Sequence, residues 1–138
     1  MVLYKQNLKM TDDKATIRKH CGEIRRLFLQ SYWAKDRSIE VIEKSVEQSL
    51  CFAIFDTEID TMVAFARVIT DYATMYYLCD VIVDEKYRGN GLGKMLVNWI
   101  VNEEERLKGQ YGVLLTRDAQ GLYSQFGFRE NERCMCKY

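Results

Sequence analysis

Short apolar runs separated by polar segments dominate the middle of the chain and predict a series of β-strands. Leu50–Phe55, Met62–Thr70 and Met75–Val83 each have the length of a strand and end at polar residues. The polar segments 56–61 and 71–74 are predicted to turn the chain between these strands. Because both connections are short, we expect the three strands to form an antiparallel meander.

Apolar residues elsewhere recur with the 3.6-residue period of a helix that buries one face. The first such pattern follows an acidic helix start at Thr11–Asp13, and the second begins near Ser38. In the third helical pattern, over about 91–108, the acidic run Glu103–Glu105 is predicted to lie on a solvated face, and Gly109 is predicted to end the helix. The pattern predicts four helices: about 11–31, from about 38, 91–108 and 119–126.

Three further strands complete the predicted order: Val2–Leu8, Val113–Leu115, and one strand or a pair of strands over Phe128–Tyr138. The resulting order is β-α-α-β-β-β-α-β-α-β. The strand–helix–strand unit that begins with the 75–83 strand should be a right-handed parallel crossover, whereas the meander before it is antiparallel. The sequence therefore predicts one α/β (mixed α+β) domain over residues 1–138, with a central mixed sheet and helices on both faces.

Composition narrows the class of protein. The chain has 138 residues, 48% of them hydrophobic, and 20 basic residues balance 20 acidic ones. A net charge of zero argues against long-range attraction to nucleic acid or to an anionic membrane, so we expect neither as a partner. No apolar run approaches the ~20 residues of a membrane span, and Met1–Lys5 does not begin like a signal peptide. We therefore expect a cytoplasmic protein.

The cysteines and the single histidine exclude several chemistries. Five cysteines, an odd number at scattered positions, predict buried or half-buried free thiols. Cys134 and Cys136 would share one face of a terminal strand, a spacing that suits neither a zinc ribbon nor a redox Cys-x-x-Cys, so we expect no metal. His20 lies on the polar side of a helical run, which favours a solvated histidine over a catalytic Ser-His or Cys-His pair.

A glycine-rich turn lies between a predicted strand and a predicted helix: Arg88-Gly89-Asn90-Gly91-Leu92-Gly93-Lys94. Glycines in such a turn let several backbone N–H groups point at one anion, and the helix start adds unpaired donors and a positive dipole end. We expect a phosphate or pyrophosphate here. A P-loop is excluded, because Arg88 lies where its first glycine should be and Met95 lies where a hydroxyl should bind magnesium. A dinucleotide fingerprint is excluded as well, because Lys94 lies where its third glycine should be.

The spacing Arg/Gln-x-x-Gly-x-Gly/Ala is met by Arg88, Gly91 and Gly93, and here the sequence resembles the GNAT family of N-acetyltransferases. Leu122–Phe128 looks like the late motif of that family, in which a helix carries a tyrosine and a Gly-Phe pair begins the next strand. Val81–Val83 is similar to the strand that precedes the glycine turn. The resemblance covers about residues 50 to 130, and the N-terminal part matches only in its order of elements.

The resemblance implies the GNAT acyl-CoA N-acyltransferase fold, with a twisted sheet that is splayed at the coenzyme site, and acetyl-CoA as co-substrate. It implies that the pyrophosphate lies on the glycine turn and that a backbone N–H near Ile82 or Val83 polarises the thioester carbonyl. Asp118 follows the next strand, where the family often has an asparagine that faces coenzyme or substrate. The implied coenzyme-binding residues are Val81, Ile82, Val83, Arg88, Gly89, Asn90, Gly91, Leu92, Gly93, Lys94 and Asp118.

Acetyl transfer to an amine needs a neutral amine, a polarised carbonyl and a proton for the leaving thiolate. The resemblance places Tyr123 beside the coenzyme sulfur as the acid, and packing between Leu122 and Phe126 is the alternative. Asp80, an acid within an apolar strand, could deprotonate the amine through water, bind the cationic amine, or accept hydrogen bonds at a strand irregularity. The sequence leaves these three roles open, and Asp118 is a second candidate for the base.

The resemblance implies that the N-terminal helices and the turn at Asp71 and Tyr72 lie over the thioester. Acceptor binding is therefore expected from aromatic residues there: Tyr32 and Trp33 between the first two helices, and Tyr72 in the turn. Arg67 is a candidate partner for Asp80 or for an anionic group of the acceptor. The resemblance favours an acetyl-CoA-dependent N-acetyltransferase that acts by direct transfer on a primary amine of a small molecule or a protein. A non-catalytic acyl-CoA-binding module is the alternative, and a homodimer through the last strand stays open.

Overall fold

The computed structural model describes residues 7–138. The predicted first strand, Val2–Leu8, lies almost entirely outside this range. The strands of the described part are β1 (Leu8–Thr11), β2 (Leu50–Asp56), β3 (Thr61–Thr70), β4 (Met75–Val83) and β5 (Tyr111–Leu114). Its α-helices are α1 (Lys14–Lys19), α2 (Cys21–Phe28), α3 (Ile39–Gln48), α4 (Leu92–Asn98) and α5 (Gln120–Ser124).

The five strands form one sheet in the order β1-β2-β3-β4-β5. Neighbouring strands from β1 to β4 are antiparallel, whereas β4 and β5 are parallel, so the predicted mixed sheet is confirmed. β4 pairs with β5 only from Met75 to Leu78, where Leu78 lies opposite Leu114. β5 ends at Leu114, so within residues 7–138 the second half of β4, Cys79–Val83, has no strand on this side, and we call this open edge of β4 the gap between β4 and β5.

A β-bulge lies in β4 just beyond the point where its pairing with β5 ends. The pairing with β3 shifts between Phe65 and Arg67, so that Asp80 and Val81 together lie opposite Ala66. Asp80 has a φ of 53°, which is uncommon for a residue with a side chain. The bulge therefore changes the direction of the Asp80 side chain relative to a regular strand.

Alternating side chains of the sheet are buried in two apolar cores, one on each face. Phe52 and Val68 belong to the core that includes α4 and Ile100, and Ala53 and Phe65 belong to the core that includes α1, α2 and α3. The burial of both alternating sets explains why β2 is apolar at nearly every position. Helices thus cover both faces of the sheet, as predicted.

Two predicted helices are shorter than expected. The first is divided into α1 and α2 at His20, whose half-buried ring packs edge-to-face against Phe55 rather than lying in solvent. The long helix predicted over 91–108 ends after α4 and a π-helical turn at Trp99–Glu103. Glu104 then leaves the helical conformation, and its carboxylate is buried against Arg106 instead of being solvated.

The strand predicted over Phe128–Tyr138 is wrong, because residues 129–138 contain no regular element. Residues 129–133 are all polar, so a strand through them would have no apolar face to bury against the molecule. Cys134 and Cys136 are consequently exposed, with their Sγ atoms 4.0 Å apart, whereas the other three cysteines are buried or half-buried as expected. β5 is therefore an edge strand of the described sheet.

Two further findings apply to the part of the chain that the structure describes. No helix between residues 7 and 138 is long and apolar enough to cross a membrane. The same range contains no group of three or more His, Cys, Asp or Glu side chains arranged to hold a metal ion.

Candidate active site

The glycine turn at residues 88–94 directly precedes α4 and has the backbone conformation that its glycines allow. Gly91 is the N-cap of α4 with a φ of 84°, and Gly89 has a φ of 83°. Residues with a Cβ adopt such values only at an energetic cost. The first backbone hydrogen bond of α4 runs from the Met95 N–H to the Gly91 carbonyl at 3.0 Å, so the helix begins inside the turn.

The backbone N–H groups of the turn are not used in hydrogen bonds within the described residues. From Gly89 to Lys94, none of these six N–H groups has a hydrogen-bond acceptor within residues 7–138. The side-chain amide of Asn90 closes the turn from inside by donating to the carbonyls of Tyr87 (3.0 Å) and Arg88 (3.2 Å). A row of unpaired donors at a helix start is the arrangement that binds phosphate oxygens.

The turn is fixed at its N-terminal end. The Tyr87 hydroxyl donates to a buried Asp56 carboxylate oxygen at 2.5 Å, and Arg88 Nε donates to the Val83 carbonyl at 3.1 Å. A Cβ at Gly93 would lie 3.8 Å from Val83 Cγ2 and 3.9 Å from Leu122 Cδ2. The turn, the end of β4 and α5 therefore meet beside the gap between β4 and β5.

Tyr123 lies on α5, and its side chain lines a cavity with Val113 and Leu114 of β5 and with Phe128. Its half-buried ring packs edge-to-face against Phe128, with the ring centroids 6.1 Å apart. Burial raises the pKa of Tyr123 to about 12, and the ionisable groups of Asp118, Cys79 and Tyr32 oppose its ionisation further. The phenol is therefore protonated at neutral pH, and no hydrogen bond holds its hydroxyl within the described range, so the predicted acid is available to donate.

Asp80 lies under the loop that joins α2 to α3. Its Oδ2 atom accepts from Arg37 Nη1 at 2.7 Å and from Arg67 Nε at 2.8 Å, and its Oδ1 atom accepts from Trp33 Nε1 at 3.3 Å. The side chain is only 3% exposed. Of the three roles left open by the sequence, this geometry matches a carboxylate that accepts hydrogen bonds at a strand irregularity.

The aromatic residues predicted to bind the acceptor are only partly brought together. Tyr32 and Trp33 contact one another with ring centroids 5.1 Å apart, and the guanidinium carbon of Arg117 lies 3.8 Å from the Tyr32 ring centroid. Tyr72 instead lies in the β3–β4 turn, at the opposite end of β4 from the glycine turn. Eight residue steps along β4 correspond to about 26 Å, so Tyr72 is remote from the coenzyme end of the site.

Arg37 and Arg117 are the site residues that the sequence analysis missed. Both lie in connecting segments without periodicity, and their partners are distant in sequence: Arg37 contacts Asp80, and Arg117 contacts Tyr32. A basic residue in a loop carries no signal of such a contact. Arg67 could be singled out because a charge within an apolar strand needs a partner.

The glycine turn and the mixed sheet agree with the known proteins that this chain resembles. Residues 47–130 match the family described as acetyltransferase (GNAT) domain. A solved structure from Xanthomonas campestris pv. campestris, assigned to the GNAT family, is 34% identical with a TM-score of 0.85, and the match covers all of this chain and 95% of that one. The chain therefore belongs to the GNAT acetyltransferase family, and the predicted fold is confirmed.

Two more relatives belong to one group of enzymes. Glucosamine 6-phosphate N-acetyltransferase of Trypanosoma brucei brucei is 47% identical over 58 residues, which cover 41% of this chain and 39% of that protein. The match thus spans about two fifths of the curated relative. The structure of glucosamine-6-phosphate N-acetyltransferase from Arabidopsis thaliana shares the fold, with a TM-score of 0.70 at 20% identity over 95% of this chain and 97% of that one.

Proposed function

We propose that this protein transfers an acetyl group from acetyl-CoA to a primary amine of a small molecule or a protein, by direct attack in a ternary complex. The observation that carries the proposal is the row of unpaired N–H groups from Gly89 to Lys94 beside the gap between β4 and β5. Membership of the GNAT family supports acetyl-CoA as the donor.

In this proposal the coenzyme occupies the gap. Its pyrophosphate accepts from the N–H groups of the glycine turn, and Lys94, exposed on the first turn of α4, adds positive charge. The pantetheine arm lies along Val81–Val83, the part of β4 that β5 leaves unpaired. A backbone N–H near Ile82 or Val83 polarises the thioester carbonyl as negative charge develops on its oxygen.

In the chemical step the neutral amine nitrogen attacks the carbonyl carbon and the C–S bond breaks. The leaving thiolate takes a proton from the Tyr123 hydroxyl, and the proton lost by the amine restores the phenol through water. We assign Asp80 a positioning role, because both of its oxygens already accept from Trp33, Arg37 and Arg67. Asp118 is exposed near the start of α5, and its role at coenzyme or substrate stays a prediction.

Release of CoA thiol over a panel of primary amines tests the function. We expect turnover with at least one amine and a loss of at least 100-fold in kcat for Tyr123→Phe, with the dissociation constant for acetyl-CoA changed less than threefold. Tyr111→Phe is the matched control, because this tyrosine is exposed on β5. The control variant should keep the kcat and the acetyl-CoA dissociation constant of the wild type. Tight acetyl-CoA binding without thiol release would instead identify a coenzyme-binding module.

The self-association and the cellular location of the protein stay predictions. A homodimer through the last strand stays open, and residues 129–138 do not form that strand in the single chain. The cytoplasmic location also stays a prediction. Neither affects the proposed reaction.

A further inference from the structure

A cluster of charged side chains lies where the α2–α3 loop crosses the bulge of β4. It consists of Arg37, Arg67 and Asp80, and we call it the arginine cluster. Both guanidinium groups bind the same carboxylate oxygen, at 2.7 Å and 2.8 Å. The side chains of Arg37 and Arg67 are only 22% and 13% exposed, so the cluster is largely removed from water.

The cluster carries a surplus of positive charge. Two guanidinium groups stay protonated under all ordinary conditions, and Asp80 is the one carboxylate that forms an ion pair with either of them within residues 7–138. The neighbouring thiols of Cys79 and Cys51 supply no negative charge, because burial raises the pKa of each to about 12. A partly buried cation without a counterion is unfavourable, so an anion from outside would be stabilised here.

The arginines also keep unused hydrogen-bond donors. Arg37 donates to Asp80 through Nη1 and stacks on Phe28 at 5.0 Å, and its Nε and Nη2 atoms have no acceptor in the described part of the chain. Arg67 donates through Nε to Asp80 and through Nη1 to Ser49, which leaves Nη2 without an acceptor in the same range. A planar fork of unused donors matches the oxygens of a carboxylate or a phosphate.

The arginine cluster lies on the acceptor side of the proposed reaction. Trp33, which donates to Asp80, contacts Tyr32, and Tyr32 is among the groups that oppose the ionisation of Tyr123. A surplus cation at this position repels polycationic acceptors such as diamines, and attracts an amine that carries its own anion.

We propose, resting on the acetyltransferase function above, that the acceptor is a primary amine bearing an anionic group, and that Arg37 binds that group through its unused donors. A carboxylate and a phosphate share the required chemistry. The acceptor class is thus an amino acid or an amine phosphate rather than a polyamine.

Matched pairs of amines test the proposal. One pair is 3-aminopropanoate and propylamine, the other is 2-aminoethyl phosphate and ethanolamine, and 1,4-diaminobutane is the dicationic compound. We expect kcat/KM for the member with the anionic group in at least one pair to exceed that of its partner without that group by tenfold or more, with the diamine slowest. The pair that shows the preference distinguishes carboxylate from phosphate. Equal rates within both pairs would overturn the proposal.

Variants then test Arg37 itself. Arg37→Gln should raise KM for the anionic acceptor at least tenfold and leave the KM for acetyl-CoA unchanged, and Arg37→Lys, which keeps the charge but loses the fork, should give a smaller increase. Arg25→Gln on the exposed side of α2 is the matched control for loss of one charge. Circular dichroism and the melting temperature identify a variant that fails to fold. If Arg37→Gln fails to fold, the KM of Arg37→Lys for the anionic acceptor decides whether Arg37 binds the acceptor.

Binding separates this proposal from the acetyltransferase function. Calorimetric titration of 3-aminopropanoate and 2-aminoethyl phosphate into the CoA-loaded protein should show binding that Arg37→Gln abolishes. If such binding occurs without any turnover, the acceptor proposal stands and the acetyltransferase function fails. Turnover of propylamine or 1,4-diaminobutane, with no binding of either anionic amine, would overturn the acceptor proposal and support the function.

Discussion

Replacing Gly91 by alanine perturbs the feature on which coenzyme binding depends. Gly91 has a φ of 84°, and the left-handed conformation costs a residue with a Cβ about 1–2 kcal/mol. No atom lies within 4 Å of the position that the new Cβ would occupy, so the cost comes from the backbone rather than from a clash. We expect this cost to be divided between a lower free energy of unfolding and weaker coenzyme binding.

The division depends on whether the turn keeps its conformation without ligand. If it relaxes, the whole cost falls on binding, and the dissociation constant for acetyl-CoA rises by about 5- to 30-fold. If it does not relax, the cost falls on the free energy of unfolding. Isothermal titration with acetyl-CoA and urea unfolding measure the two parts, and their sum should reach about 1–2 kcal/mol.

Gly93→Ala is the matched control for this prediction. Gly93 lies in α4 without a positive φ, and its new Cβ would make only ordinary contacts at 3.8 Å and 3.9 Å. Alanine also favours a helix over glycine, so we expect Gly93→Ala to preserve stability and coenzyme binding. A Gly91→Ala variant that matches the wild type in both measurements, or a Gly93→Ala variant that loses as much as Gly91→Ala, would refute the reasoning.

Three further predictions follow from individual contacts. Because the pKa of Tyr123 is raised to about 12, its acid form persists, and kcat/KM should rise with pH up to the pKa of the amine; a fall between pH 8 and 10 would contradict this. The thiols of Cys51 and Cys79 have pKa values raised from 9.0 to about 12, so their stabilising effect is complete below pH 9 and is lost as pH rises toward 12. The free energy of unfolding, measured with urea, should fall by up to about 1.4 kcal/mol per pH unit per thiol in that window. The fall should be smaller in Cys51→Ala, which lacks one of the two thiols. Tyr87→Phe should lower the free energy of unfolding by about 1–3 kcal/mol, because it leaves a buried Asp56 oxygen without its donor; an unchanged urea midpoint would contradict this.

The central strands β2 to β4 and the glycine turn could be predicted from the sequence because their signals are local. β4 has the bounds Met75–Val83 that its apolar run predicts, and Gly91 has the positive φ that a glycine before a helix suggests. The end of the third helix could not be predicted in this way. Its apolar period continues to Leu107, but the carboxylate of Glu104 binds Arg106 and the chain leaves the helix there.

The acceptor side of the site depends on contacts that no local pattern carries. Asp80 could be identified as an acid that needs an explanation, but its contact with Arg37 spans 43 residues of sequence, and the bulge that aims it depends on pairing with β3. The resemblance to the GNAT family implies that the turn carrying Tyr72 lies over the thioester. The structure puts that turn at the other end of β4, since the nine-residue strand separates the two.

A crystal structure of the protein with CoA tests the central claim most directly. We predict pyrophosphate oxygens within hydrogen-bond distance of several backbone nitrogens between Gly89 and Lys94, with the pantetheine arm in the gap beside Val81–Val83. CoA bound elsewhere on the protein, with these N–H groups left facing solvent, would contradict the account.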